Sequence, residues 1–219
     1  MAIRRTGQYS GASARQTEDA CFWLAPGPAI YYPLVRQFAG ARNLDLLDSA
    51  RFMALIAVAK SDAFVAVFDA KYHDDFWRPI TAIRNGDLDD NAGTGRDATW
   101  QPLEATPMHP EYPCAHCIQS GSVAAVVKAV LGTVDITEVA MTSPTAPGVT
   151  HRWSNLDAYT DEVTNARIWA GYCAGCYEHR PIDLTAEPSP RPLFRDHPLP
   201  LHQDPIHWSC LRLPWVGRD

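Results

Sequence analysis

Residues 49–77, SARFMALIAVAKSDAFVAVFDAKYHDDFW, constrain the fold more than any other stretch, because they run without proline or glycine and carry apolar residues nearly all round their first half. That pattern predicts a long helix buried inside a bundle. Its apolar runs, such as FMALIAVA at 52–59, fall far short of the ~18 residues that span a bilayer, so a soluble chain with no membrane span is expected. Residues 13–170 otherwise read as helices separated by loops, almost without the alternating period of strands. The expected class is all-α, a helical bundle. Ser13 followed by Gln16 forms a capping signal for SARQTEDACFWLA, which ends before Pro26 and Pro28. Helices are also expected at 115–132, AHCIQSGSVAAVVKAVLG, and at 154–171, SNLDAYTDEVTNARIWAG, the latter behind a Ser154 cap. Residues 85–113 hold NGDLDDNAGTG and then four prolines ending in Pro113, which predicts a long loop. Such loops in compact domains often carry function. A Pro/Gly-rich loop is expected at 143–153.

Composition narrows the classes of function. A net charge of −6 argues against a nucleic-acid binder, so any anion site must be local. Six cysteines in 219 residues are too sparse for a disulfide scaffold. The opening MAIRRTGQYSGASARQ has two arginines with no apolar stretch after them, which does not read as a secretory signal and leaves the compartment unassigned. After Gly171 the composition shifts: from Cys173 to Asp219 lie eight of the eighteen prolines and half of the histidines. No window there supports a stable helix. The expected organisation is a helical domain over 1–172 and an irregular, Pro-rich C-terminal tail over 173–219.

Three cationic elements carry the chemistry. In KYHDDFWRP, Lys71 and Arg78 stand seven apart, a spacing that returns both to nearly the same side of a helix. Asp69, Asp74 and Asp75 make a solvated face with ion pairs one reading; the apolar Phe68, Phe76 and Trp77 favour the other, a partly buried pair that needs an anion. YPCAHC opens the 115–132 helix, and a helix N-terminus suits phosphate-like ligands. There His116 reads either as a surface or capping histidine or as an acid/base group beside an oxyanion. Arg167 lies on an otherwise apolar segment, NARIWAG, where an arginine snorkels or meets an anion. A rival use exists for two cysteine pairs, Cys114 with Cys117 and Cys173 with Cys176, as a zinc site or redox protein. Against zinc, the fifty-five residues between the pairs are many, and Cys117 falls inside a helix. Residues 87–98 resemble a calcium loop, but Ala92 and Ala98 replace its glycine and closing glutamate.

In order, the elements are Lys71-x6-Arg78-Pro79, Pro113-Cys114-Ala115-His116 and Asn165-Ala166-Arg167. Their order and separations resemble the superfamily of vanadium-dependent haloperoxidases and type 2 phosphatidic acid phosphatases, with its K-x6-R-P, P-S-G-H and S-R-x5-H motifs. DAKYHDDFWRPITAIR, PMHPEYP and SPTAPGVT are similar to the soluble bacterial haloperoxidase-like branch over roughly residues 15 to 172. The resemblance implies that Lys71, Arg78 and Arg167 bind the oxygens of an oxyanion, that Cys114 and Ala115 stand where a Ser and Gly add hydrogen bonds, and that His116 is the acid/base group. It implies vanadate as cofactor, with phosphate able to occupy the same site. The substrates implied are hydrogen peroxide and halide, or a phosphate ester.

Departures from the motifs bear on activity. Cys114 replaces a hydroxyl by a weaker thiol donor, and Ala115 adds a methyl where glycine permits close approach. The Ser before Arg167 is Ala166. Six residues after Arg167 stands Cys173, where the family has the histidine that bonds vanadium or attacks phosphorus. The resemblance stops there, which motivates the expectation of a divergent or frame-shifted tail and an incomplete site.

Overall fold

The computed structural model describes residues 12–25, 27–88 and 93–173. Helix α1 (Ala14–Phe22) opens with the capping box read from the sequence: Ser13 Oγ accepts from Gln16 N at 3.2 Å and Gln16 Oε1 accepts from Ser13 N at 2.8 Å. A 3-10 turn at Pro28–Tyr31 leads into α2 (Tyr32–Ala41). Helix α3 (Leu46–Asp74) starts behind Asp45, whose carboxylate accepts from Asp48 N at 2.8 Å, and stops where Asp75 turns left-handed at φ 49°. A short helix, α4 (Pro79–Arg84), follows. As expected, the described residues between Arg84 and Ala115 contain neither helix nor strand. Then come α5 (Ala115–Leu131), closed by a left-handed Gly132, a hairpin of β1 (Asp135–Ser143) and β2 (Ala146–Asn155), and α6 (Leu156–Trp169).

The architecture is mostly helical, in line with the all-α reading, with one small antiparallel sheet. Helix α5 packs against both α3 and α6, and α1 lies on α6 and β2. The core they enclose is built on Phe22, Trp23, Tyr31, Ile56, Val123 and Val163. Burying each such side chain contributes about 1.5–3 kcal/mol, and Phe22 and Trp23 at the end of α1 are fully buried among them.

Four expectations need correction. The segment 143–153 is not a loop but the end of β1, the turn and most of β2, with only Pro144 and Thr145 at the turn. Its alternation is confined to short runs, Val139, Met141 and Ser143 on one strand and His151 and Trp153 on the other, and prolines and Gly148 obscure it. The cap of α6 is Asn155, whose Oδ1 accepts from Asp157 N and Ala158 N at 2.9 and 3.1 Å, rather than Ser154. Helix α3 is not buried all round: Phe52, Ile56, Lys60, Val67 and Lys71 form a single buried stripe, while Leu47, Leu55, Val58 and Val65 are each more than half exposed. Helices α2 and α5 cover only one side of it. Finally, Lys71 and Arg78 do not share a helix. Arg78 caps α4 with extended backbone (φ −69°, ψ 152°), because Pro79 disfavours helical geometry in the residue before it. Of the expected tail 173–219, Cys173 alone lies among the described residues. No helix of the described residues is long and apolar enough to cross a membrane.

Candidate functional site

Although α3 breaks between them, Lys71 and Arg78 converge, because the loop before α5 passes over the break and hands both its carbonyls. Lys71 Nζ donates to Pro110 O and Glu111 O, each at 2.7 Å. Arg78 Nε donates to His109 O at 2.8 Å and its Nη1 to Tyr172 O at 2.8 Å, while Nη2 lies 2.9 Å from His109 Nδ1. Arg167 arrives from the last turn of α6, with Nη1 donating to Trp23 O at 2.9 Å and the guanidinium lying 4.5 Å over the Tyr172 ring. All three cations are buried.

Together with Cys114, Ala115, His116 and Cys173, they line one cavity of about 300 Å³. Every described residue singled out by the three motifs as a site candidate therefore faces the same space. Each cation keeps donors beyond those given to carbonyls, since Lys has three and Arg five, and Arg167 Nε is buried with no hydrogen-bond partner. The N-terminus of α5 adds backbone amides, because Cys114, its N-cap, makes no side-chain capping bond. Charge-assisted hydrogen bonds at about 1.5–3 kcal/mol each outweigh the about 0.3–1 kcal/mol of a helix terminus, so the cations decide what the cavity holds.

Electrostatics agree with that ranking. Burial pulls Lys71 below the ordinary lysine range, and the neighbouring Arg78 charge pushes the same way. Burial likewise lowers Arg78. An anion in the cavity opposes both effects. His116 is partly buried and lines the same cavity; burial first, then the Arg167 charge, lower it to about 4. Its ring is therefore neutral at neutral pH.

Other lining groups carried no role in the sequence reading. His109 buttresses Arg78 through both its carbonyl and its ring, and Tyr172 supplies a carbonyl to one arginine and a ring to the other. Glu111 brings a carboxylate that subtracts from the positive charge of the cavity. His109 and Glu111 lie within PMHPEYP, so the phrase pointed at them, but carbonyl contacts leave no mark on residue identity.

The cysteine alternative gains nothing. Cys114 and Cys173 line the cavity and Cys117 packs beside them, yet among the described residues no cysteine joins a group with metal-ligand separation. Cys176 lies outside the described residues.

Comparison with known proteins gives a consistent relationship. Residues 51–174 match the family model of the VCPO second helical-bundle domain. Over 139 residues the chain is 29% identical to the vanadium chloroperoxidase of Curvularia inaequalis, covering 52% of this chain and 22% of that protein. Its fold is similar to the crystal structure of a bacterial vanadium-dependent iodoperoxidase, with a TM-score of 0.63 at 24% identity, over 74% of this chain and 39% of the other. The chain thus spans about a fifth of the curated relative and two fifths of the solved one.

Proposed function

Because this chain belongs to the family of the VCPO second helical-bundle domain, within the vanadium haloperoxidase and type 2 phosphatidic acid phosphatase superfamily, we propose that its cavity is an oxyanion site of haloperoxidase type, suited to vanadate and able to take phosphate. The observation that carries the reading is the convergence of Lys71, Arg78 and Arg167, three buried cations from separate elements, on one small cavity. The orphaned Arg167 Nε and the uncapped start of α5 fit a tetrahedral oxyanion with acceptors on every side.

Bound vanadate supplies the chemistry of activating hydrogen peroxide toward a halide. The chain's own residues do the rest. Lys71, Arg78 and Arg167 neutralise the anion, and the carbonyls of His109, Tyr172 and Trp23 hold the two guanidinium groups in position. His116, neutral and lining the same cavity, would be the acid/base group beside a bound oxyanion. Cys114 offers a thiol, a poorer donor than the hydroxyl of the family motif, and the methyl of Ala115 narrows the approach to the α5 amides.

Cys173 limits the site. It lines the cavity, 2% exposed, at the position where the superfamily resemblance calls for a histidine that bonds vanadium. The chain as it stands binds oxyanion weakly, without that covalent ligand, and turns over little or nothing. The test measures halide oxidation by hydrogen peroxide with added vanadate, beside hydrolysis of an aryl phosphate, for the wild type and Cys173→His. Vanadate-dependent halide oxidation that rises in Cys173→His supports the proposal. Oxidation independent of vanadate in both proteins, or phosphate ester hydrolysis as the dominant activity, overturns it.

A further inference from the structure

Away from the cavity, three side chains come together where α1 crosses the hairpin: Glu18 and Asp19 from the helix and His151 from β2. We propose that Glu18, Asp19 and His151 form a binding site for one divalent transition-metal ion of the zinc class, which fastens α1 to β2. This site goes beyond the oxyanion reading and shares no residue with it.

Glu162 fixes the orientation of the imidazole. Its carboxylate accepts from Trp23 Nε1 at 3.0 Å and Trp153 Nε1 at 2.9 Å and contacts His151 Nδ1. Surrounded by donors, Glu162 is an acceptor, so His151 Nδ1 donates to it and the opposite ring nitrogen, Nε2, is turned toward Asp19. That nitrogen lies 3.6 Å from Asp19 Oδ1, too far for a hydrogen bond. Both atoms are buried without a hydrogen-bond partner, and both residues are more than nine-tenths buried. Buried polar atoms left without partners are costly, and an ion held between these two satisfies both.

The spacing suits a metal. Tetrahedral zinc with bonds of about 2.0–2.1 Å sets its ligand atoms about 3.4 Å apart, close to the 3.6 Å between Asp19 Oδ1 and His151 Nε2. Glu18 has a carboxylate oxygen within 4.8 Å of both, and its exposed side chain is free to close that gap. Water on the Glu18 side completes four ligands. One imidazole nitrogen with two carboxylates favours zinc-like ions over the all-oxygen preference of calcium and magnesium or the thiolate preference of copper(I). The Glu162–His151 contact is the carboxylate–histidine support that metal-binding imidazoles commonly have. Arg15 is the opposing charge: its Nε lies 3.3 Å from Asp19 Oδ1, but its side chain is 72% exposed and can swing into solvent.

An ion there acts on the whole α1 end. The Phe22 ring stacks on His151 at 3.9 Å between centroids, Thr145 Oγ1 donates to Phe22 O, and the next carbonyl, Trp23 O, holds Arg167.

The experiment titrates the full chain with zinc(II) by calorimetry and with cobalt(II) by absorption spectroscopy. Expected are one zinc per chain, a raised melting temperature, and cobalt d–d bands without a thiolate charge-transfer band. Glu162→Gln, which keeps the three ligands, should weaken zinc about 10–100-fold, and Asp19→Asn more. Should Asp19→Asn fail to fold, Glu18→Gln on the surface replaces it, with a loss of at least about tenfold. Absence of stoichiometric zinc, unchanged affinity in the ligand variants, or a thiolate band assigning the ion to cysteines overturns the proposal. Zinc binding persists if the oxyanion reading fails, because vanadate binding is a separate titration.

Discussion

Gly171→Ala should both destabilise the fold and loosen the oxyanion site. Gly171 follows α6 with φ 74°, a left-handed conformation that costs a residue with a Cβ about 1–2 kcal/mol. The added Cβ would lie 2.9 Å from Trp100 Cη2, 3.2 Å from Cζ2 and 3.3 Å from Pro102 Cα. Trp100 cannot swing aside, being 6% exposed, with its carbonyl accepting from Arg84 Nε at 3.0 Å. Leu103 N also donates to Ala170 O at 3.2 Å, which ties this loop to the helix end. Overpacking of that kind costs about 1–3 kcal/mol, so the total is about 2–5 kcal/mol, a large part of an ordinary domain's about 5–15 kcal/mol. The displacement passes to Tyr172, whose carbonyl accepts from Arg78 at 2.8 Å. Loss of that charge-assisted bond, at about 1.5–3 kcal/mol, lowers anion affinity about ten- to hundredfold. Urea unfolding and phosphate titration measure the two effects. Gly148→Ala is the control, because its φ of 83° imposes strain but nothing lies within 4 Å of the new Cβ. Equal destabilisation by both variants, with phosphate affinity unchanged in Gly171→Ala, would refute the reasoning.

Two pH effects follow from buried bases. Burial lowers Lys60 to about 8 from 10.5, so the unfolded chain holds the proton more tightly; the penalty is complete below about pH 8 and disappears by about 10.5. Lys60→Met should therefore unfold at higher urea at pH 7, by on the order of 1–2 kcal/mol after the loss of cation–π contact with Tyr31 and Tyr32, and the advantage should shrink between pH 8 and 10.5. His116, lowered to about 4 from 6.5, contributes stability that is complete above about pH 6.5 and lost as pH falls to 4. In buffer without phosphate, His116→Gln should lose less stability than the wild type between pH 7 and 4.5, by on the order of 2 kcal/mol; a parallel loss in both proteins counts against a buried neutral His116.

Much of this site was legible because buried cations are costly. Lys71, Arg78 and Arg167 each sit among apolar neighbours, which left an anion as one of two readings for each; that they share one was implied by the order and spacing of the three motifs. Their route to convergence was not legible: seven-residue spacing suggested one helix, whereas Pro79 forces a break at Arg78 and the loop carbonyls of His109, Pro110 and Glu111 reunite the pair. Backbone acceptors carry no residue signature. The hairpin escaped for a related reason, since its alternation is short and interrupted by Pro144, Pro147 and Gly148. For α3, an apolar circumference was read as burial on every side. The number of helices that pack on it is a property of the whole chain, and only one stripe is covered.

The most direct test of the central claim is calorimetric titration of orthovanadate into the chain, repeated with Arg167→Gln and Cys173→His. One saturable site is predicted, displaced by phosphate, weakened at least about tenfold in Arg167→Gln by loss of a charge-assisted donor, and tightened in Cys173→His. No saturable binding in any of the three proteins, or binding that ignores Arg167→Gln, would contradict the assignment of this cavity as an oxyanion site.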